Sequence, residues 1–121
     1  MTIIDANVSV STVQNVTVVT VTGELDDFQA PKLNSVFQAK GDGAIRPMII
    51  NLTGTTFVDS VGLGVIVAQA KLARKSGFPM ALIVATPQIT RLITQSGIAQ
   101  STHLGLTVYD SLEEGLGSFN A

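Results

Sequence analysis

Two short apolar runs, MIINL (48–52) and PMALIVA (79–85), bracket a stretch in which Leu63, Ile66, Val67, Ala70 and Ala73 recur at helical spacing. Apolar runs without alternation suit strands buried on both faces. Two such strands joined through an amphipathic helix form a parallel β-α-β unit, and that unit dictates a layered α/β fold. The predicted helix covers Val61 to Lys75. Lys71, Arg74 and Lys75 fill its last turns, where the helix dipole favours cations, and Gly77 can end it.

The flanks extend this unit. IIDANVSVSTV (3–13) and VTVVTVTGEL (16–25) are rich in Val, Thr and Ile and roughly alternate, with Gln14-Asn15 between them. They predict a hairpin. Leu33, Val36 and Phe37 mark a helix after Pro31, and GDGAIRP (41–47) reads as loop. Thr86 and Pro87 predict the N-cap and first residue of a helix stopping near Gly97. LTVY (106–109) is a last short strand. Ser111 and Glu114 form a capping box for a helix that turns Leu112, Leu116 and Phe119 inward. The expected order is β-β-α-β-α-β-α-β-α, an α/β mixed sheet whose later strands are parallel. The length of 121 residues suits one domain, 1–121.

Composition removes several functions. With no cysteine and a single histidine, His103, there is no thiolate nucleophile, no zinc ribbon and no multi-histidine metal site. His103 reads as an ordinary loop residue. A net charge of −2 argues against nucleic acid as the main partner. The N-terminus has no basic region followed by an apolar block, and no apolar run reaches the roughly 18 residues that span a bilayer. A cytoplasmic protein without membrane insertion is expected.

Charge placement is more informative. No acid lies between Val61 and Tyr109, whereas Glu24, Asp26, Asp27 and Asp59 cluster where two predicted strands run out into loops. Ligands and partners of parallel sheets tend to meet the loops at the carboxyl ends of strands. The turns at Asp26-Asp27 and Asp59-Ser60 are therefore expected to be neighbours.

Ser60 invites an enzymatic reading that its context rejects. A nucleophile elbow reads G-x-S-x-G, but residues 58–62 are Val-Asp-Ser-Val-Gly, without the first glycine. No phosphate-binding G-x-x-x-x-G-K-[ST] occurs. Gly62 and Gly64 instead suit close helix–sheet packing or a mobile first turn. A phospho-acceptor receiver domain has a similar length and an acidic pair after an early strand. Against it, Thr53 and Gly54 stand where the acceptor should follow MIINL. Tyr109, Asp110 and Ser111 stand where a lysine should follow the last strand, and the chain begins with two strands rather than one.

The segments GELDDFQAPKL (23–33) and IINLTGTTFVDSVGLGVIVAQAKLARKSG (49–77), with the short strand and helix at the C-terminus, resemble STAS domains of the bacterial anti-sigma factor antagonist family. The resemblance covers nearly the whole chain. It implies a binding module with no catalytic residue, no cofactor and no bound metal. The serine after the motif aspartate, here Ser60, would be phosphorylated by an ATP-binding serine kinase that is also the anti-sigma factor. A serine phosphatase would reset it. Asp26, Asp59, Ser60, Val61, Gly62 and Leu63 would contact the partner, and a monomer is expected. Many relatives carry a second hydroxyl residue after the serine. Val61 removes it here.

Residue chemistry permits blander roles. Ser60 also suits an N-cap, Asp26 and Asp59 suit capping or loop hydrogen bonds, and Thr55 and Thr56 read as loop residues. Phe57 and Leu63 read as packing residues, or as partner anchors if exposed. Two other functions stay open: a STAS subunit of a stress-signalling or membrane-transport assembly in which Ser60 is no switch, and the receiver.

Overall fold

At the first turn, Gln14 and Asn15 both take left-handed backbone angles, with φ of 53° and 66°. That pair matches the twist of a two-residue hairpin. It joins β2 (Val8–Val13) to β3 (Val16–Leu25) in antiparallel register, Val13 opposite Val16. The computed structural model describes residues 2–3, 7–39, 47–96 and 106–119. Most of the expected loop at 41–47, Gly97 and His103 lie outside them, as does the side chain of Phe37.

The first extended segment is not one strand. Thr2–Ile3 forms a separate two-residue strand, β1, that pairs antiparallel with Ser9 and Val10 of β2. The remaining elements follow the expected order. They are α1 (Ala30–Ala39), β4 (Met48–Val58), α2 (Ser60–Ser76), β5 (Met80–Ile83), α3 (Pro87–Ser96), β6 (Leu106–Tyr109) and α4 (Leu112–Phe119). The strands form one sheet in sequential order, and the pairs β3/β4, β4/β5 and β5/β6 are parallel.

The largest departure is β4. It continues six residues beyond the expected end at Leu52, through Thr53–Val58. Thr22 to Leu25 of β3 pair with this extension, with register shifts flanking Gly23, whose φ is 75°. Thr55 and Thr56 are therefore strand residues. Thr55 is fully buried, and its hydroxyl donates to the Val21 carbonyl at 2.7 Å, so the buried oxygen keeps a partner. One argument against the receiver falls with this result, because the strand runs past Thr53 and Gly54 to Val58 and is followed directly by Asp59. The antiparallel strand pair ahead of the parallel unit still stands against it.

The sheet is covered unequally. Leu33 and Val36 of α1, Ile66, Ala70 and Ala73 of α2, and Ile89 and Ile93 of α3 pack on one face, over Val19, Val21, Ile50, Leu52 and Leu82. On the other face, Leu112, Leu116 and Phe119 of α4 pack over Val16, Val18, Ile49, Ala81 and Ile83. Gly115 lets α4 approach, since a Cβ there would stand 2.6 Å from Ile83 Cδ1.

Helix ends follow local chemistry. Gly77 ends α2 with φ 82°; its N–H donates to Arg74 O, and the Phe78 N–H donates to Ala73 O. Nothing crowds a Cβ at Gly77, so backbone strain alone is tested by Gly77→Ala. The expected cost is about 1 kcal/mol, or roughly 4 °C in melting temperature. At α3, Thr86 holds the cap position, but its hydroxyl donates to the Thr55 carbonyl at 3.1 Å. At α4, Ser111 Oγ accepts from the Glu114 N–H at 3.1 Å, the expected half of the capping box. The carboxyl of Glu114 is pushed above its usual range, first by its hydrogen bond and then by its charge repulsion with Asp110. The folded state thus holds this proton more tightly than the unfolded chain. The resulting stabilisation is present at acid pH and is lost as pH rises through the raised value. Asp110→Asn should return Glu114 to the ordinary carboxylate range in an NMR titration.

Candidate functional site

Strands β3 and β4 end at the same level, with Leu25 opposite Val58. The Asp59 N–H donates to the Leu25 carbonyl at 3.1 Å, which clamps the two strand ends together. The Asp26-Asp27 and Asp59-Ser60 turns therefore leave the sheet side by side, as their sequence positions predicted. Beside them, Asn7, Glu24, Asp26, Gln29 and Thr56 line a polar cleft of about 360 Å³.

Asp59, not Ser60, caps α2. Its backbone is extended, and its Oδ1 accepts from the Gly62 N–H at 2.9 Å. Its carbonyl accepts from the Leu63 N–H, also at 2.9 Å. The expectation that Ser60 doubles as the N-cap is thus corrected. A carboxylate here satisfies an otherwise orphaned amide and also complements the positive end of the helix dipole. Asp59→Ala should cost about 1 kcal/mol in a urea titration, and Asp59→Asn only a few tenths, because an amide oxygen can still accept the bond.

With capping supplied by its neighbour, Ser60 is the first helical residue. It is exposed, and its hydroxyl makes no hydrogen bond among the described residues. Val61 beside it is 47% exposed. Leu63 is half-buried and packs against the core. Gly62 is buried. A Cβ on it would come within 2.5 Å of the Leu25 carbonyl oxygen and 2.7 Å of Leu25 Cγ. Gly62 therefore sets how closely α2 meets β3 and offers little surface of its own. At Gly64 nothing lies within 4 Å of a Cβ, so close packing explains only the first of the two glycines.

Asp26 is half-buried and has a structural task. Its Oδ1 accepts from the Phe28 and Gln29 N–H groups at 3.1 and 3.0 Å, and its carbonyl accepts from the Ala30 N–H at 2.8 Å. It holds the turn into α1. Asp27 is exposed next to it.

Sequence reading overlooked Phe28. Its ring is 69% exposed, with the Lys32 ammonium 4.7 Å from its centroid. An aromatic immediately after two acids in a turn was the available signal. Phe57, considered in the sequence, is 47% exposed. The carboxyl end of β3 and β4 thus carries exposed apolar side chains among acids, together with the unengaged hydroxyl of Ser60. Such a surface can bind a protein and accept a phosphoryl group. Among the described residues, no cluster of three or more acids or histidines is arranged to hold a metal ion. No described helix is long and apolar enough to cross a membrane.

The STAS domain family model matches residues 7–115. The chain belongs to the STAS domain family. Its relatives include the anti-sigma-B factor antagonist of Staphylococcus aureus, 26% identical over 98 residues, covering 81% of this chain and 91% of that one. The anti-sigma F factor antagonist of Paenibacillus polymyxa is 30% identical over 89 residues, covering 70% and 74%. The crystal structure of an anti-sigma factor antagonist from Mycobacterium paratuberculosis superposes with a TM-score of 0.78 at 24% identity, covering 95% and 94%.

Proposed function

We propose that this STAS protein is an anti-sigma factor antagonist switched by phosphorylation at Ser60. Residues 1–121 work as one domain in the cytoplasm, without catalytic activity of their own. In the unphosphorylated state the surface around Asp26, Asp59, Ser60, Val61 and Leu63 binds an ATP-dependent serine kinase that is also an anti-sigma factor. That binding frees the sigma factor for transcription. The kinase transfers the γ-phosphoryl group of ATP to Ser60 Oγ. A P–O bond forms to the serine as the β–γ bridging bond breaks, the hydroxyl proton passes to a base of the kinase, and ADP leaves. A serine phosphatase hydrolyses the ester and resets the switch.

The observation carrying this reading is the exposed, unbonded hydroxyl of Ser60 on the first turn of α2. A cap at Ser60 would have engaged that oxygen, but Asp59 takes the task. The relatives' activity as antagonists supports the choice of partner.

The test is recovery of partners from a lysate of the native organism. Wild type and Ser60→Ala should retain the kinase, and Ser60→Asp should lose it. If Ser60→Asp keeps every partner, Ser60 is no switch.

A further inference from the structure

A second crevice lies on the same end of the sheet, away from Ser60. Neighbouring parallel strands β5 and β6 send their connections to opposite faces: β5 leads to α3, packed with α1 and α2, and β6 leads to α4 on the other side. Divergent connections open a crevice just outside the carboxyl ends of the two strands, the usual ligand position in open α/β sheets. Here it has a volume of about 670 Å³, within the size range of small-molecule sites.

Its lining is divided by charge. Arg91 of α3 stands on one side and forms no ion pair among the described residues. Asp110 and Glu114, at the start of α4, stand on the other. Asp110 pushes the Glu114 carboxyl above its usual range, first through side-chain hydrogen bonding and then through charge, so Glu114 holds its proton more tightly. Between the two sides Val84, Val108 and Tyr109 supply an apolar lining, held together by the Val84 N–H donating to the Tyr109 carbonyl at 2.9 Å. Opposite charges share one crevice without meeting, and the gap between them suits a ligand that carries both signs.

We propose that this crevice binds a small zwitterion with an apolar body, an apolar α-amino acid being the simplest: its carboxylate faces Arg91, its ammonium faces Asp110 and Glu114, and its side chain lies on Val84, Val108 and Tyr109. A guanidinium–carboxylate pair fixes one end, and two acids that otherwise repel each other gain a shared cation at the other. A ligand lacking either charged group leaves one side of the crevice unmatched.

The test is an amide NMR titration of the full chain with L-leucine and L-phenylalanine. 4-Methylpentanoate, without the ammonium, and isopentylamine, without the carboxylate, serve as controls. Saturable shifts should be confined to residues 84–91 and 106–114. Each control should bind at least about tenfold more weakly, equivalent to about 1.4 kcal/mol. Arg91→Gln and Glu114→Gln alter exposed side chains, so their spectra should stay native elsewhere while the affinity for both amino acids falls about tenfold. The proposal is overturned if neither amino acid gives saturable shifts there by about 10 mM. It is equally overturned if 4-methylpentanoate binds as well as leucine, or if both variants bind like wild type.

Discussion

A phosphate on Ser60, or the substitution Ser60→Asp, is expected to weaken binding of the serine kinase at least tenfold while moving the melting temperature by only a few degrees. The second half of this result follows from the local geometry. The hydroxyl is exposed and bonds to nothing within the described fold, so a phosphate displaces no packed atom. A phosphate brings about 1.5 to 2 negative charges. The start of α2 favours such charge by up to about 2 kcal/mol. The Asp59 carboxylate opposes it. At about 7 Å and an effective dielectric of about 20, each unit-charge pair costs about 2 kcal/mol before salt screening. For about 1.5 to 2 charges the repulsion is about 3–4 kcal/mol unscreened, and physiological salt reduces it toward the size of the opposing helix effect. The partner has no such compensation. A protein face closing over Ser60 must desolvate the new charge and give up contact with the hydroxyl, and about 1.4 kcal/mol already amounts to tenfold. Calorimetric binding of both forms, beside their thermal melts, separates a contact effect from unfolding.

Gly62→Ala should be the most disruptive single methyl in the site. The added carbon would stand 2.5 Å from a backbone oxygen of β3, which cannot swing aside as a side chain can. Either α2 lifts from the sheet or the end of β3 bends, at a cost of about 1–3 kcal/mol. Because Asp59 and Ser60 precede Gly62 on the same turn, kinase binding should fall as well. Gly64→Ala, two residues on, is the internal control. It meets nothing within 4 Å and replaces a glycine inside a helix, so it should stabilise by about 0.5–1 kcal/mol. Urea titrations of the pair should therefore move in opposite directions. Equal behaviour would show that α2 does not rest on Leu25 as described.

Much of this architecture is legible in the sequence. The apolar run 48–52 becomes the first part of β4, the run 79–85 supplies the shorter β5, Met80–Ile83, and the 3.6-residue spacing between them becomes α2. Acids at two predicted strand ends become neighbours because β3 and β4 are parallel and end together. What escaped depended on tertiary partners. Thr53 to Thr56 look like a turn by composition, yet β3 is long enough to pair with them, and a β-branched Thr55 can bury its hydroxyl against the Val21 carbonyl. Asp59 and Ser60 are both good caps. Only the backbone's entry into α2 decides that the aspartate caps and the serine remains available. The break in the first extended segment has only Asp5 and Asn7 as a weak turn signal, and the pairing of Thr2 and Ile3 with Val10 and Ser9 is what separates the two strands.

The central claim is that this one hydroxyl is the phosphoryl acceptor. It is tested most directly by incubating the chain with its partner kinase and ATP, then locating the phosphate by peptide mass spectrometry. The account predicts one acid-stable phosphate, on Ser60, absent from Ser60→Ala. Phosphate on another residue, or none on a chain that binds the kinase normally, would contradict it.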